Sequence, residues 1–198
     1  MTFRIPEGLA PELYPLAWLV GSWRGYGVLA YPNVPEQPFV QEMSFDHDGG
    51  PYLRCTSTLW MVDVEHSESV PQEMPGSEGA DLLAKAHVWS SESAYWRPVP
   101  KRGTGAEDAA DGTTPTELEV LVADPSGHLS VYLGTVRGPR IELATDAVVR
   151  TATAAEVSAA SRMYGLVHGE LMWAEDLAAF GHELQPYASG RLSRQEAP

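Results

Sequence analysis

Short runs of alternating apolar and polar residues, broken by turn signals, recur through most of this chain. In PYLRCTSTLWMV, Leu53, Cys55, Ser57 and Leu59 fall on one face and Arg54, Thr56, Thr58 and Trp60 on the other. That period of two is the mark of a half-buried strand. AKAHVWSSESAYWRPV continues in the same way and stops at a proline. TELEVLVADPSGHLSVYLGTVRGPRIELATDAVVRT holds three β-rich runs parted by DPSG and RGPR, both strong turn formers. SRMYGLVHGELMWAEDLAAF reads as a hairpin turning at His168-Gly169. Only LAPELYPLAWLVG looks helical, and its prolines hold it to one or two turns. TAAEVSAASR has helical composition between strand runs and stays open. Sequential hairpins of this kind predict an all-β fold, an antiparallel up-and-down β-barrel of about ten strands with a short N-terminal helix. Closing the barrel removes the unpaired edges that an open meander would expose. A two-sheet sandwich is the structural rival. A barrel of about ten strands has room inside for a ligand.

The chain of 198 residues is read as one domain, 1–198, long enough to bury about 70% of its unfolded surface. Twenty-seven acidic against 13 basic side chains give a formal charge of -14. Such a surface repels phosphate, so neither nucleic acid nor an anionic membrane is expected as a partner. No apolar run is long enough for a membrane helix. The N-terminal stretch carries acids and prolines where a secretory signal would be basic and then apolar. A single cysteine, Cys55, precludes an internal disulfide and suggests a reducing compartment; the expected location is cytoplasmic. The acid concentrates in two places, 63–85 and 101–117, whose composition is that of solvated or disordered loop insertions. A docking role for these loops is the alternative.

LVGSWRGYGVLAYP opens the strand series. Gly21, Trp23, Gly25 and Gly27 share one face by alternation, with Ser22, Arg24 and Tyr26 on the other. A tryptophan among glycines on the concave side can plug the closed end of a barrel. The glycines let the strand coil sharply or let a ligand approach the backbone. The bland alternative is a barrel floor with no ligand role.

Here the sequence resembles the nitrobindins, haem-binding β-barrels related in architecture to fatty-acid-binding proteins. GSWRGYG matches their GxWxGxG signature. YPNVPEQPFVQEMSFDHDGGPYL resembles their Tyr-Pro turn and following strand, SESAYWRP their Glu-x-x-Tyr-Trp-Arg-Pro segment, and GELMWAEDLAAFGHELQPYASGRL their closing hairpin. The resemblance implies a ferric haem b in the barrel mouth, held by one histidine, with peroxynitrite isomerised to nitrate at the open iron site. In the family the axial histidine directly follows the Leu-Gln-Pro turn. Here that position is Tyr187, so the chain resembles a ferric nitrobindin-like member lacking the ligand.

A phenol must ionise to ligate iron, and with a reference pKa near 10 this costs about 4 kcal/mol at pH 7. Tyrosinate does ligate haem in catalases, usually with a cationic partner. Alternation places Arg191 on the face of Tyr187 but about 13 Å along the strand, too far to help. His182, in the FGHELQP turn, and His47, in FDHDGGP, are the other substitute iron ligands. As a plain metal site the DHD triplet is weak, because neighbouring strand residues point to opposite faces. Arg191 and Arg194 could stack on Trp23, and Cys55 reads as a small core residue. No confident cofactor, metal site or catalytic residue follows. The expected activity is binding of a small hydrophobic or amphipathic molecule, with Trp23, Gly25, Gly27, His47, Leu177 and Tyr187 lining the pocket. The alternatives are a haem-b peroxynitrite isomerase using Tyr187, His47 or His182, and a non-catalytic protein that docks through its acidic loops.

Overall fold

The computed structural model describes residues 5–71, 73–99 and 115–196. Ten strands follow a nine-residue 3₁₀ segment, Pro11–Leu19. They are β1 (Gly21–Tyr31), β2 (Val34–Asp46), β3 (Leu53–Val62), β4 (Lys85–Pro98), β5 (Thr116–Asp124), β6 (His128–Arg137), β7 (Arg140–Arg150), β8 (Val157–Val167), β9 (Glu170–Ala179) and β10 (Gln185–Arg194). Each pairs antiparallel with its sequence neighbour, and β1 pairs with β10 to close the barrel. The sandwich alternative is thereby set aside. Turns fall where the breakers stand: Asp124 pairs with His128 across DPSG, and Arg137 with Arg140 across RGPR. His168 and Gly169 both take positive φ, 52° and 86°, the backbone that a two-residue hairpin turn needs. The stretch left open as TAAEVSAASR enters β8 at Val157. Val157, Ala159 and Ala160 pair with β9, and Ser161 and Arg162 with both β7 and β9, which outweighs helix propensity.

The 3₁₀ segment seals the end of the barrel where β1 begins and β10 ends. Its Leu13, Leu16 and Leu19 are wholly buried. The predicted helix is therefore tighter than an α-helix, with Pro11 at its start and Pro15 inside, where the missing N–H costs one α-type bond. Trp23 is buried on this floor and donates from Nε1 to the Leu19 carbonyl at 2.8 Å. Arg194 lies over the Trp23 ring, 4.2 Å from its centroid, and donates to the Trp18 carbonyl at 2.5 Å.

The β1 glycines face inward as alternation requires, for a reason other than ligand contact. A Cβ at Gly25 would stand 1.9 Å from the Arg191 carbonyl, and one at Gly27 would stand 2.1 Å from that of Ser189. The β10 backbone crosses so close to β1 that only hydrogen fits. Part of the acid-rich segment expected as a solvated loop is instead structured. A short helix, α1 (Gly76–Asp81), lies on the outer faces of β1 and β10. Gly76 approaches the β10 backbone and Gly79 the Tyr26 ring at distances that leave no room for a side chain. Arg24 pairs with Asp81 at 2.5 Å, and Glu170 accepts from the Gly76 N–H at 2.6 Å. Of the second acidic stretch, 101–114 lies outside the described residues, and Thr116 and Glu117 already belong to β5.

Candidate functional site

Opposite the sealed floor, the barrel opens into a cavity of about 620 Å³, within the range of small-molecule sites. Its lower wall holds an uneven charge cluster. Arg162 (β8) forks onto Glu92 (β4), with Nη1 to Oε2 at 2.8 Å and Nη2 to Oε1 at 2.5 Å. Its Nε donates to Oε1 of Glu175 (β9) at 3.0 Å. Only 11% of the Arg162 and Glu175 side-chain surfaces is exposed. Burial pushes the Glu175 carboxyl above the usual carboxylate range, against the pull of Arg162, and the charge of Glu92 adds to the rise. The two carboxylates hold the Arg162 guanidinium charged, well above its ordinary value, although burial opposes this. Nearby, Trp173 donates to Gln41 at 2.7 Å, and Gln41 donates to Ser57 at 2.9 Å, so the interior amides and hydroxyl are satisfied.

The mouth is aromatic. A bulge in β10 sets Pro186 opposite Asp176 and Ala188 opposite Glu175, leaving Tyr187 as the extra residue. Tyr187 and Ala188 consequently both line the cavity. The same bulge overturns the expected alternation. Arg191 faces outward, with its Nε 3.4 Å from Glu170, so it neither shares a face with Tyr187 nor stacks on Trp23. The Tyr187 hydroxyl accepts from Nε1 of Trp89 at 2.7 Å. Trp89 stands on β4, far around the barrel from β10, so this bond spans the mouth. Burial raises the Tyr187 phenol above its ordinary value, outweighing the Trp89 N–H, which favours the phenolate. Tyr31 packs edge-on against both Tyr187 and His182, with centroids at 5.9 and 5.8 Å.

Of the residues expected to line the pocket, Leu177 and Tyr187 do so. Trp23, Gly25 and Gly27 belong to the floor and the β1–β10 crossing. His47, expected in the pocket wall, instead follows the last residue of β2 at the sealed end, near Gly8, where its Nδ1 is buried and has no hydrogen-bond partner among the described residues. The strand that carries it has run the full barrel length away from the mouth. His182 is exposed on the rim and does not line the cavity. One histidine does, His128, and both its nitrogens are engaged: Nδ1 lies 3.0 Å from the Ser126 hydroxyl, and Nε2 lies 2.9 Å from the Ala155 carbonyl. Cys55 is buried, and burial pushes its thiol far up, as suits a packing residue and not a nucleophile. Among the described residues, no group of three or more His, Cys, Asp or Glu side chains could hold a metal ion. No helix among them is long and apolar enough to cross a membrane.

Sequence reasoning passed over Arg162, Glu92, Glu175 and Trp89. A signal was available: in β4, β8 and β9 these charges stand in register with inward Trp96, Tyr164 and Trp173, on the face that alternation assigns to the interior.

Comparison with known proteins agrees with the barrel and extends it. The model of the THAP4-like, heme-binding beta-barrel domain matches residues 12–194. The chain is 56% identical to the ferric nitrobindin-like protein of Beutenbergia cavernae, over 98% of this chain and 99% of that one. It is 40% identical to the peroxynitrite isomerase of Leifsonia xyli, covering 97% and 98%. The crystal structure of Rv2717c from M. tuberculosis superposes with a TM-score of 0.68 at 29% identity, covering 95% of this chain and 99% of that chain.

Proposed function

Because this chain belongs to the THAP4-like, heme-binding beta-barrel family, we propose that it keeps the family's cavity for a small amphipathic ligand but not its iron coordination. The observation that carries this reading is a roomy cavity whose candidate iron ligand, the Tyr187 phenol, is shifted by burial away from ionisation and hydrogen-bonded to Trp89. The iron ligands weighed above are a free imidazole and a phenolate, and the histidines and the tyrosine do not supply either. The nitrogens of His128 are taken, His47 lies at the sealed end, and His182 stacks on Tyr31 outside the cavity. Arg162, the cation that would favour a Tyr187 phenolate, is already bound by two carboxylates. On this reading, the isomerase activity in the name of the Leifsonia relative does not pass to this chain. The remaining machinery suits binding: apolar walls, a polar anchor deep inside and an aromatic mouth.

The uncharged, solvent-sensitive dye Nile red tests the binding role. One equivalent is expected to bind with blue-shifted emission. Ala160→Phe, which narrows the cavity from β8, is expected to weaken binding at least about tenfold. Equal dye binding by the narrowed variant would count against the interior as the site.

A further inference from the structure

We propose that the ligand is an organic cation, an alkylammonium-type amphiphile whose charged nitrogen is seated on Glu175 and whose chain runs toward the mouth. This deepens the ligand-binding reading above and rests on it. The inner cluster sets two carboxylates against one guanidinium. Glu92 spends both oxygens on the Arg162 fork. Glu175 spends only Oε1; its Oε2 accepts no hydrogen bond among the described residues, while the side chain lines the cavity. That oxygen borders the cavity with no protein donor among the described residues, so a bound ligand is the group placed to supply one. An ammonium group supplies both the missing donor and the missing charge.

The walls around that oxygen suit the same chemistry. Tyr132, Tyr164 and Trp173 line the lower cavity, and the Arg162 guanidinium already sits over the Tyr132 ring, 5.1 Å from its centroid. Electron-rich ring faces attract cations, the more so where water is excluded. A carboxylate head placed there would meet Glu175 and Glu92, which already take three N–H groups of the nearby guanidinium. The overall charge of -14 opposes an anionic ligand before it reaches the mouth. Burial, and then the charge of Glu92, disfavour the Glu175 anion in spite of Arg162, and a cationic ligand would act in the opposite sense.

Three probes of one chain length separate head-group from chain: decylammonium, decanol and decanoate, each below its micellar concentration and each competed against bound Nile red. Decylammonium is expected to bind at least about tenfold more tightly than decanoate, with decanol between them. Glu175→Gln is expected to shrink that ratio to within about threefold. Glu142→Gln, which removes the same charge from the outer surface, should leave it unchanged. Equal binding of all three probes leaves the ligand-binding barrel standing and overturns this inference; so does a ratio that Glu175→Gln does not change. Displacement by none of the three while Nile red stays bound overturns this inference alone; failure of Nile red itself to bind overturns both readings. Should Glu175→Gln fail to fold, Glu175→Asp, which draws the carboxyl group back from the cavity, decides: a preference for decylammonium that this variant leaves unchanged refutes the inference.

Discussion

Tyr187 and Glu175 each sit in a cavity that opposes their ionisation, and both shifts follow from burial. For Glu175 the consequence can be measured in stability. The groups that act on it are Arg162 and Tyr164 on β8, Glu92 on β4, Tyr132 on β6, Tyr187 on β10 and its chain neighbour Asp176. The unfolded carboxyl titrates near pH 4.3, and the folded one titrates higher. Between the two values the unfolded chain holds fewer protons, so stability contributed at this site falls as pH rises through the window. Urea unfolding across that range should show the wild type losing stability relative to Glu175→Gln as pH increases. Parallel curves would mean that the carboxyl is not shifted upward. On the floor, Arg194→Ala removes the cation over Trp23 and the bond to the Trp18 carbonyl. An expected cost of about 1–3 kcal/mol should appear as a lower urea midpoint.

The β1–β10 seam depends on the absence of side chains. Gly25→Ala would drive a methyl to 1.9 Å from the Arg191 carbonyl, and the strands can only part to admit it. The expected loss is about 3 kcal/mol or more; an unfolding free energy within about 0.5 kcal/mol of wild type, the scatter of neutral surface changes, would contradict the close crossing. At this scale much was legible beforehand. DPSG, RGPR and His168-Gly169 mark their turns because proline, glycine and a positive φ are local requirements. GSWRGYG shows its inward face because alternation is a property of one strand. What stayed hidden arises between strands. The bulge that turns Tyr187 inward and Arg191 outward is set by the pairing of β10 with β9, and no spacing within β10 reveals it. Likewise His47 is adjacent in sequence to a cavity-directed strand yet comes out at its far end. The Glu92–Arg162–Glu175 cluster draws on three strands, of which β4 is remote in sequence.

For the molecule as a whole, the barrel has one sealed end, one open end and an acidic strap along its side. Glu170 ties that strap down, accepting from the Gly76 N–H at 2.6 Å and the Ser193 hydroxyl at 2.7 Å. Glu170→Ala should speed amide exchange in 76–81 by about tenfold or more while barrel amides change little. Uniform acceleration everywhere would mean that strap and barrel open together. The open end carries the central claim, that the cavity has kept its volume and given up its iron ligand. Titrating hemin into the wild type, Tyr187→Phe and Tyr187→His tests it most directly by absorption. The expected result is no saturable Soret shift for the wild type or Tyr187→Phe, and a one-equivalent shift for Tyr187→His. A saturable one-equivalent shift in the wild type that Tyr187→Phe abolishes would show the phenol bound to iron and contradict the account.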